Sequence, residues 1–92
     1  MEYKDLAEFF KALADDSRIK IIAILLNNKE MNQKDLLEHF NISQPTFSYH
    51  MKELTKAKMV NVRKVGTAHY YSANMEIFTE LNEAILKLKN EQ

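Results

Sequence analysis

The sequence predicts a mainly α-helical domain with a small β-hairpin, in the order α-α-α-α-β-β-α. Three observations carry that expectation. Apolar residues recur at helical spacing in the segments flanking Gly66. Asp15, Asn32 and Ser43 each stand where a helix N-cap belongs. The single glycine, Gly66, sits where a hairpin bend needs a residue that accepts positive φ. At 92 residues the chain is one domain, 1–92, large enough for a modest core but near the size at which a second subunit helps.

Taken in order, the first helix is expected over Tyr3 to Leu13, where Leu6, Phe9, Phe10 and Leu13 form one apolar stripe. Asp15 caps the second helix, and Asp16 inside its first turn suits the helix dipole. That helix runs to about Leu26 and is apolar on most sides, so it is expected to be the buried spine; Asn27-Asn28 ends it. Asn32 caps a short third helix, Gln33 to Phe40, with Leu36, Leu37 and Phe40 turned inward. After the turn at Asn41-Ile42, Ser43 caps a fourth helix. Pro45 is tolerated there because the first helical turn has no intrahelical acceptor for an N–H. A short helix, a tight turn and a second helix make a helix-turn-helix over 32–56. The hairpin, 59–72, pairs Met59 to Lys64 with Ala68 to Ser72. Beyond Asn74 a last helix carries Phe78, Leu81, Ile85 and Leu88 in a heptad-like seam.

Composition narrows the function. Cysteine is absent, which excludes disulfides, thiolate metal sites and thiol redox sensing. No apolar run approaches bilayer-spanning length and the acidic, amphipathic N-terminus lacks the secretory pattern, so a cytoplasmic protein is expected. The formal net charge of zero conceals a polarity. Between Ser43 and His69, Lys52, Lys56, Lys58, Arg63 and Lys64 stand against Glu53 alone, so the remainder of the chain is acidic. Such a molecule approaches a polyanion in one orientation.

The fourth helix carries the functional signal. Phe47, Met51 and Leu54 fall on one side, while Pro45, Ser48, Tyr49, Lys52 and Lys56 fall on the other. Gln44, Thr46, Ser48 and Tyr49 are candidates for base contacts: an amide bonds an adenine edge bidentately, hydroxyls serve several bases, and the Thr methyl meets a thymine methyl. Lys52 and Lys56 suit phosphates. In the hairpin, Arg63, Lys64 and Thr67 are read either as contacts to flanking phosphate or minor groove, or as ordinary surface. His50 borders the apolar face and is expected to be structural. Arg18 is expected to pair with a nearby carboxylate, with a phosphate contact as the alternative. One of Tyr70 and Tyr71 packs inward, and the other lies on the hairpin surface. His39, His50 and His69 are scattered and make no zinc site.

These residues resemble the ArsR-type winged helix-turn-helix repressors. The likeness lies in Phe10-Lys11-Ala12-Leu13-Ala14-Asp15 with Arg18, in Asn41-Ile42-Ser43-Gln44-Pro45-Thr46 leading to Ser48 and His50, and in a wing built from Lys64-Val65-Gly66 and Tyr70-Tyr71-Ser72. It covers nearly the whole chain and is most similar to the short, metal-independent SdpR-like branch. The resemblance implies a homodimer joined through its first and last helices (1–14 and 74–92), with each fourth helix in a major groove. Many relatives bind metal through a Glu-Leu-Cys-Val-Cys-Asp-Leu run. Here that run is Glu30-Met31-Asn32-Gln33-Lys34-Asp35-Leu36, and no His lies beyond Asn74, so neither family metal site carries over and no cofactor is expected.

The dimer expectation also has a physical basis. A trihelical core with a hairpin leaves two flanking helices little to cover, so Leu6, Phe9, Phe10, Phe78, Leu81, Ile85 and Leu88 are expected at an interface between copies. The leading function is a repressor that occupies a pseudo-palindromic double-stranded DNA operator. A winged-helix protein-interaction module and a regulator sensing an unidentified small ligand are the alternatives. Release would come from an effector, a sequestering protein or a change in concentration. No nucleophile motif, Gly-rich phosphate loop or carboxylate pair marks an enzyme.

Overall fold

In the computed structural model, which describes residues 1–90, the expected order holds with one added strand. The helices are α1 (Tyr3–Leu13), α2 (Asp16–Leu26), α3 (Gln33–Leu37), α4 (Gln44–Lys56) and α5 (Met75–Lys87), followed by a 3-10 turn, Leu88–Asn90. The strands are β1 (Met31–Asn32), β2 (Val60–Val65) and β3 (Ala68–Ala73). The last two positions of the expected C-terminal dimerisation segment lie outside the described residues.

Local chemistry accounts for the helix starts. The Asp15 carboxylate accepts from the Arg18 backbone N–H at 3.1 Å, and Asn32 Oδ1 accepts from that of Asp35 at 2.8 Å. Each satisfies a donor that the first helical turn leaves without a partner. The third helix ends earlier than expected, at Leu37. The chain from Glu38 to Phe40 instead closes turn bonds, His39 N–H to Leu36 O at 3.2 Å and Phe40 N–H to Leu37 O at 3.0 Å. Phe40 still reaches the core, its ring 5.9 Å from that of Phe47.

The hairpin pairs Val65 with Ala68 across Gly66-Thr67, and Gly66 has φ +60°, as the bend requires. The unexpected strand is β1. It pairs antiparallel with β3, Met31 opposite Tyr71 and Asn32 opposite Tyr70, giving the sheet order β1-β3-β2. The sheet therefore ties the hairpin to the residues that start α3.

The core gathers Ile21, Leu25, Leu36, Phe47, Met51, Leu54 and Met59, with Tyr71 the inward member of the tyrosine pair. The second helix is a spine on one side only: Ile21, Ile22 and Leu25 are buried, while Ile19 and Leu26 are exposed. The outer helices differ from expectation in a similar way. Leu6, Phe9 and Leu81, expected between copies, are 5%, 5% and 8% exposed within the protomer's own core. The reason is that α1 and α5 do have a core to cover: the half-buried Phe78 meets Phe9 edge to face, ring centroids 6.0 Å apart. Phe10, Ile85 and Leu88 remain exposed.

Candidate nucleic-acid interface

The site is built on α4. Ser43 Oγ accepts from the Thr46 backbone N–H at 3.3 Å and donates to Thr46 Oγ1 at 2.9 Å, which fixes the helix start. Phe47, Met51 and Leu54 then fasten one face to the core, each at most 2% exposed. That anchoring leaves Gln44, Ser48, Lys52 and Lys56, one every fourth residue, as a straight exposed row. No hydrogen bond or ion pair among the described residues engages their side chains.

The row forms one wall of an open cleft. The opposing wall is the hairpin, through Lys64, Thr67 and His69, and the start of α3 contributes Gln33 and Lys34. Among the described residues lining it are four lysines (Lys34, Lys52, Lys56 and Lys64) and no carboxylate. Charges of one sign in a concave surface focus the field and draw in a polyanion.

Not all the expected contact residues meet there. Strand alternation puts Arg63 and Lys64 on opposite faces of the hairpin. Lys64 enters the cleft. Arg63 instead donates from Nε and Nη2 to the Glu30 carboxylate at 3.1 and 2.8 Å, and its guanidinium lies 4.7 Å from the Tyr70 ring centroid. Their hydrogen bond, reinforced by their opposite charges, holds the Glu30 carboxyl below the ordinary carboxylate value and raises that of Arg63. Tyr49 and Thr46 are exposed but outside the cleft. Tyr49 sits on the other flank of α4, its ring centroid 5.5 Å from the Arg18 guanidinium.

Arg18 itself departs from expectation. Its side chain donates from Nε to His50 Nδ1 at 3.0 Å and from Nη1 to the Ala12 carbonyl at 3.1 Å, not to a carboxylate. His50, 8% exposed, is thus structural, as its place on the helix implied: it straps α4 to the start of α2. Three polar cleft residues named above escaped the sequence reading: Gln33, Lys34 and His69. The signal for His69 was alternation from Tyr71, which places it opposite Lys64 and on the same face. For Lys34 no local signal exists, because its position depends on the pairing of β1 with β3.

Comparison with known proteins agrees with this geometry. Residues 15–60 match the winged helix-turn-helix DNA-binding family. The chain is 45% identical over 83 residues to an arsenical resistance operon repressor of Staphylococcus xylosus, covering 90% of this chain and 79% of the relative. It is 38% identical over 71 residues to the transcriptional repressor SdpR of Bacillus subtilis, covering 77% and 78%. Among solved structures, an ArsR family transcriptional regulator, RHA00566, superposes with a TM-score of 0.86 at 25% identity, over 99% of this chain and 92% of the other. The lysine-lined cleft, the capped helix beside it and these relatives lead to one conclusion: the chain belongs to the ArsR family of winged helix-turn-helix transcriptional repressors.

Proposed function

We propose that the protein represses transcription as a homodimer that occupies a pseudo-palindromic operator and so excludes polymerase. The observation that carries this reading is the cleft whose described lining holds lysines and no carboxylate, set against a bare polar row on α4. In this reading Gln44 and Ser48 meet base edges in the major groove, with Thr46 and Tyr49 at the flanks of the same helix. Lys52, Lys56, Lys64 and Thr67 hold phosphates. Arg63 joins them only where it lets go of Glu30. Two such helices, one per protomer, would enter successive major grooves about 34–36 Å apart. The names of several relatives refer to arsenical resistance. This chain has no thiolate to offer a soft metal, so its release signal is of another kind: an unidentified effector or a sequestering protein.

Selection of bound duplexes from a random pool tests the proposal and reports half-site spacing and symmetry together. On the selected operator, Lys52→Ala is expected to weaken binding and to flatten the dependence of log K on log salt by about 0.9, the share of a single neutralised phosphate. Gln44→Ala or Tyr49→Phe is expected to relax preference at particular bases, by about 1–3 kcal/mol for each well-made bond to a base edge. If none of these changes alters binding, the reading face lies elsewhere.

A further inference from the structure

We propose that His69 is a proton-linked phosphate contact, whose ring takes up a proton at Nε2 as DNA enters the cleft. This rests on the reading of the cleft as the DNA-binding face. His69 is half-buried on β3, directly across the strand pair from Lys64. Its ring meets Tyr71 edge to face, planes at 86°. Three side chains form a chain of contacts: His69 Nδ1 lies 3.4 Å from the Tyr71 hydroxyl, which donates to Gln33 Oε1 at 3.4 Å. A phenol has one proton to give. With that proton directed to Gln33, the Tyr71 oxygen is free to accept, and the arrangement favours the tautomer that carries the hydrogen on His69 Nδ1. Burial raises the Tyr71 phenol further above its ordinary value, so it stays protonated and the arrangement persists at neutral pH.

The consequence falls on the other nitrogen. With Nδ1–H committed to Tyr71, Nε2 makes no bond among the described residues, and in the neutral ring it is a lone pair, a poor neighbour for a phosphate oxygen. Adding a proton from solvent turns Nε2 into a charged donor without breaking the Tyr71 bond. The charged groups that share the cleft are Lys64 on β2, Lys34 on α3, and Lys52 and Lys56 on α4. A phosphodiester oxygen brought beside Nε2 changes the field at the ring, because an anion beside an imidazole favours its charged form. Uptake of up to one proton with binding follows by linkage.

His50 cannot give the same response. Its Nδ1 already accepts from Arg18, so protonation there would sacrifice a structural bond and loosen α4. His39 is exposed and does not line the cleft.

The experiment measures affinity for the selected duplex at constant salt, from about pH 8 down to about pH 6. The wild-type protein is expected to tighten by roughly three- to tenfold, since one proton permits at most about tenfold per pH unit. Its salt slope should steepen by up to about 0.9 at the acid end. His69→Asn places an amide N–H near the Nδ1 position without a titrating group, and it is expected to abolish both effects while leaving thermal unfolding near wild type. His39→Asn should keep them. Nitrogen-15 NMR of the unbound wild-type protein provides a check that no substitution can confound, with the Nδ1–H tautomer expected at His69. A pH response retained in His69→Asn, or an Nε2–H tautomer at His69, would overturn the proposal while leaving DNA binding itself intact. Failure to bind any duplex at any pH would instead remove the DNA-binding reading, and the role of His69 with it.

Discussion

Among the described residues, Lys58 is the non-glycine residue at which the backbone takes a positive φ, 65°. It follows the end of α4, where the Met59 N–H bonds the Leu54 carbonyl and the Lys58 N–H bonds the Thr55 carbonyl, both at 3.0 Å. This is a Schellman closure, which ordinarily falls to glycine because a Cβ crowds the left-handed conformation. The companion apolar contact is present: Leu54 and Met59 are both fully buried. The Asn74 side chain donates to the Lys58 carbonyl at 2.8 Å, a backbone contact that survives a change of side chain. Lys58→Gly is therefore expected to stabilise the fold by about 1 kcal/mol, read as a higher urea midpoint at unchanged slope. No residue at this helix end marked the closure in the sequence, and the first hairpin strand was accordingly expected to begin at Met59 rather than Val60. The His50–Arg18 bond was equally invisible, because it joins residues 32 positions apart.

What could be read at the scale of elements was what is decided locally. The bounds of α1 and α2 and the start of α4 followed from apolar periodicity and from caps supplied within three residues, while α4 runs to Lys56, two residues past the expected Leu54. A two-residue strand such as β1 has no periodicity to detect, and its partner in β3 lies about forty residues away in the chain. The same division runs through the site. The row on α4 was legible because one helix makes it, whereas which of Arg63 and Lys64 enters the cleft depended on which hairpin face turns toward α4. The Glu30–Arg63 pair fastens the outer face of the hairpin to the loop before β1. Because the folded Glu30 carboxyl lies below its ordinary value of 4.5, this fastening is complete above that pH and is lost as pH falls through the lower folded value. The protection of β2 and β3 amides, their exchange referred to the intrinsic rate at the same pH, is expected to fall on acidification in the wild-type protein. In Glu30→Gln that protection should already be lower at neutral pH and should not fall further over the same descent.

The whole molecule is long for its mass, 48 × 22 × 20 Å. Among the described residues no helix is long and apolar enough to cross a membrane, yet α1 and the C-terminal segment leave Phe10, Ile85, Leu86 and Leu88 exposed. These exposed apolar side chains on the outer helices are the ones the proposed second copy would cover, in place of Leu6, Phe9 and Leu81. Placing a charge there tests the assembly without touching the core. Ile85→Glu, 40% exposed in the protomer, is expected to sediment as a single protomer at micromolar concentration with its helicity intact. It should keep weak half-site binding and lose the gain from two linked half-sites, by a factor on the order of 100 or more. An Ile85→Glu protein that remains dimeric would place the contact elsewhere.

The three-stranded sheet also bears on how such regulators can be recombined. The hairpin is not an independent appendage, since Tyr70 and Tyr71 are already paired with Asn32 and Met31. A chimera that imports only residues 59–73 from a relative would keep the backbone ladder to β1 but lose the side-chain contacts of Arg63 with Glu30 and of Tyr71 with Gln33 wherever the relative differs there. The smallest exchangeable cassette is therefore discontinuous, and it must carry Glu30 and Gln33 along with the hairpin.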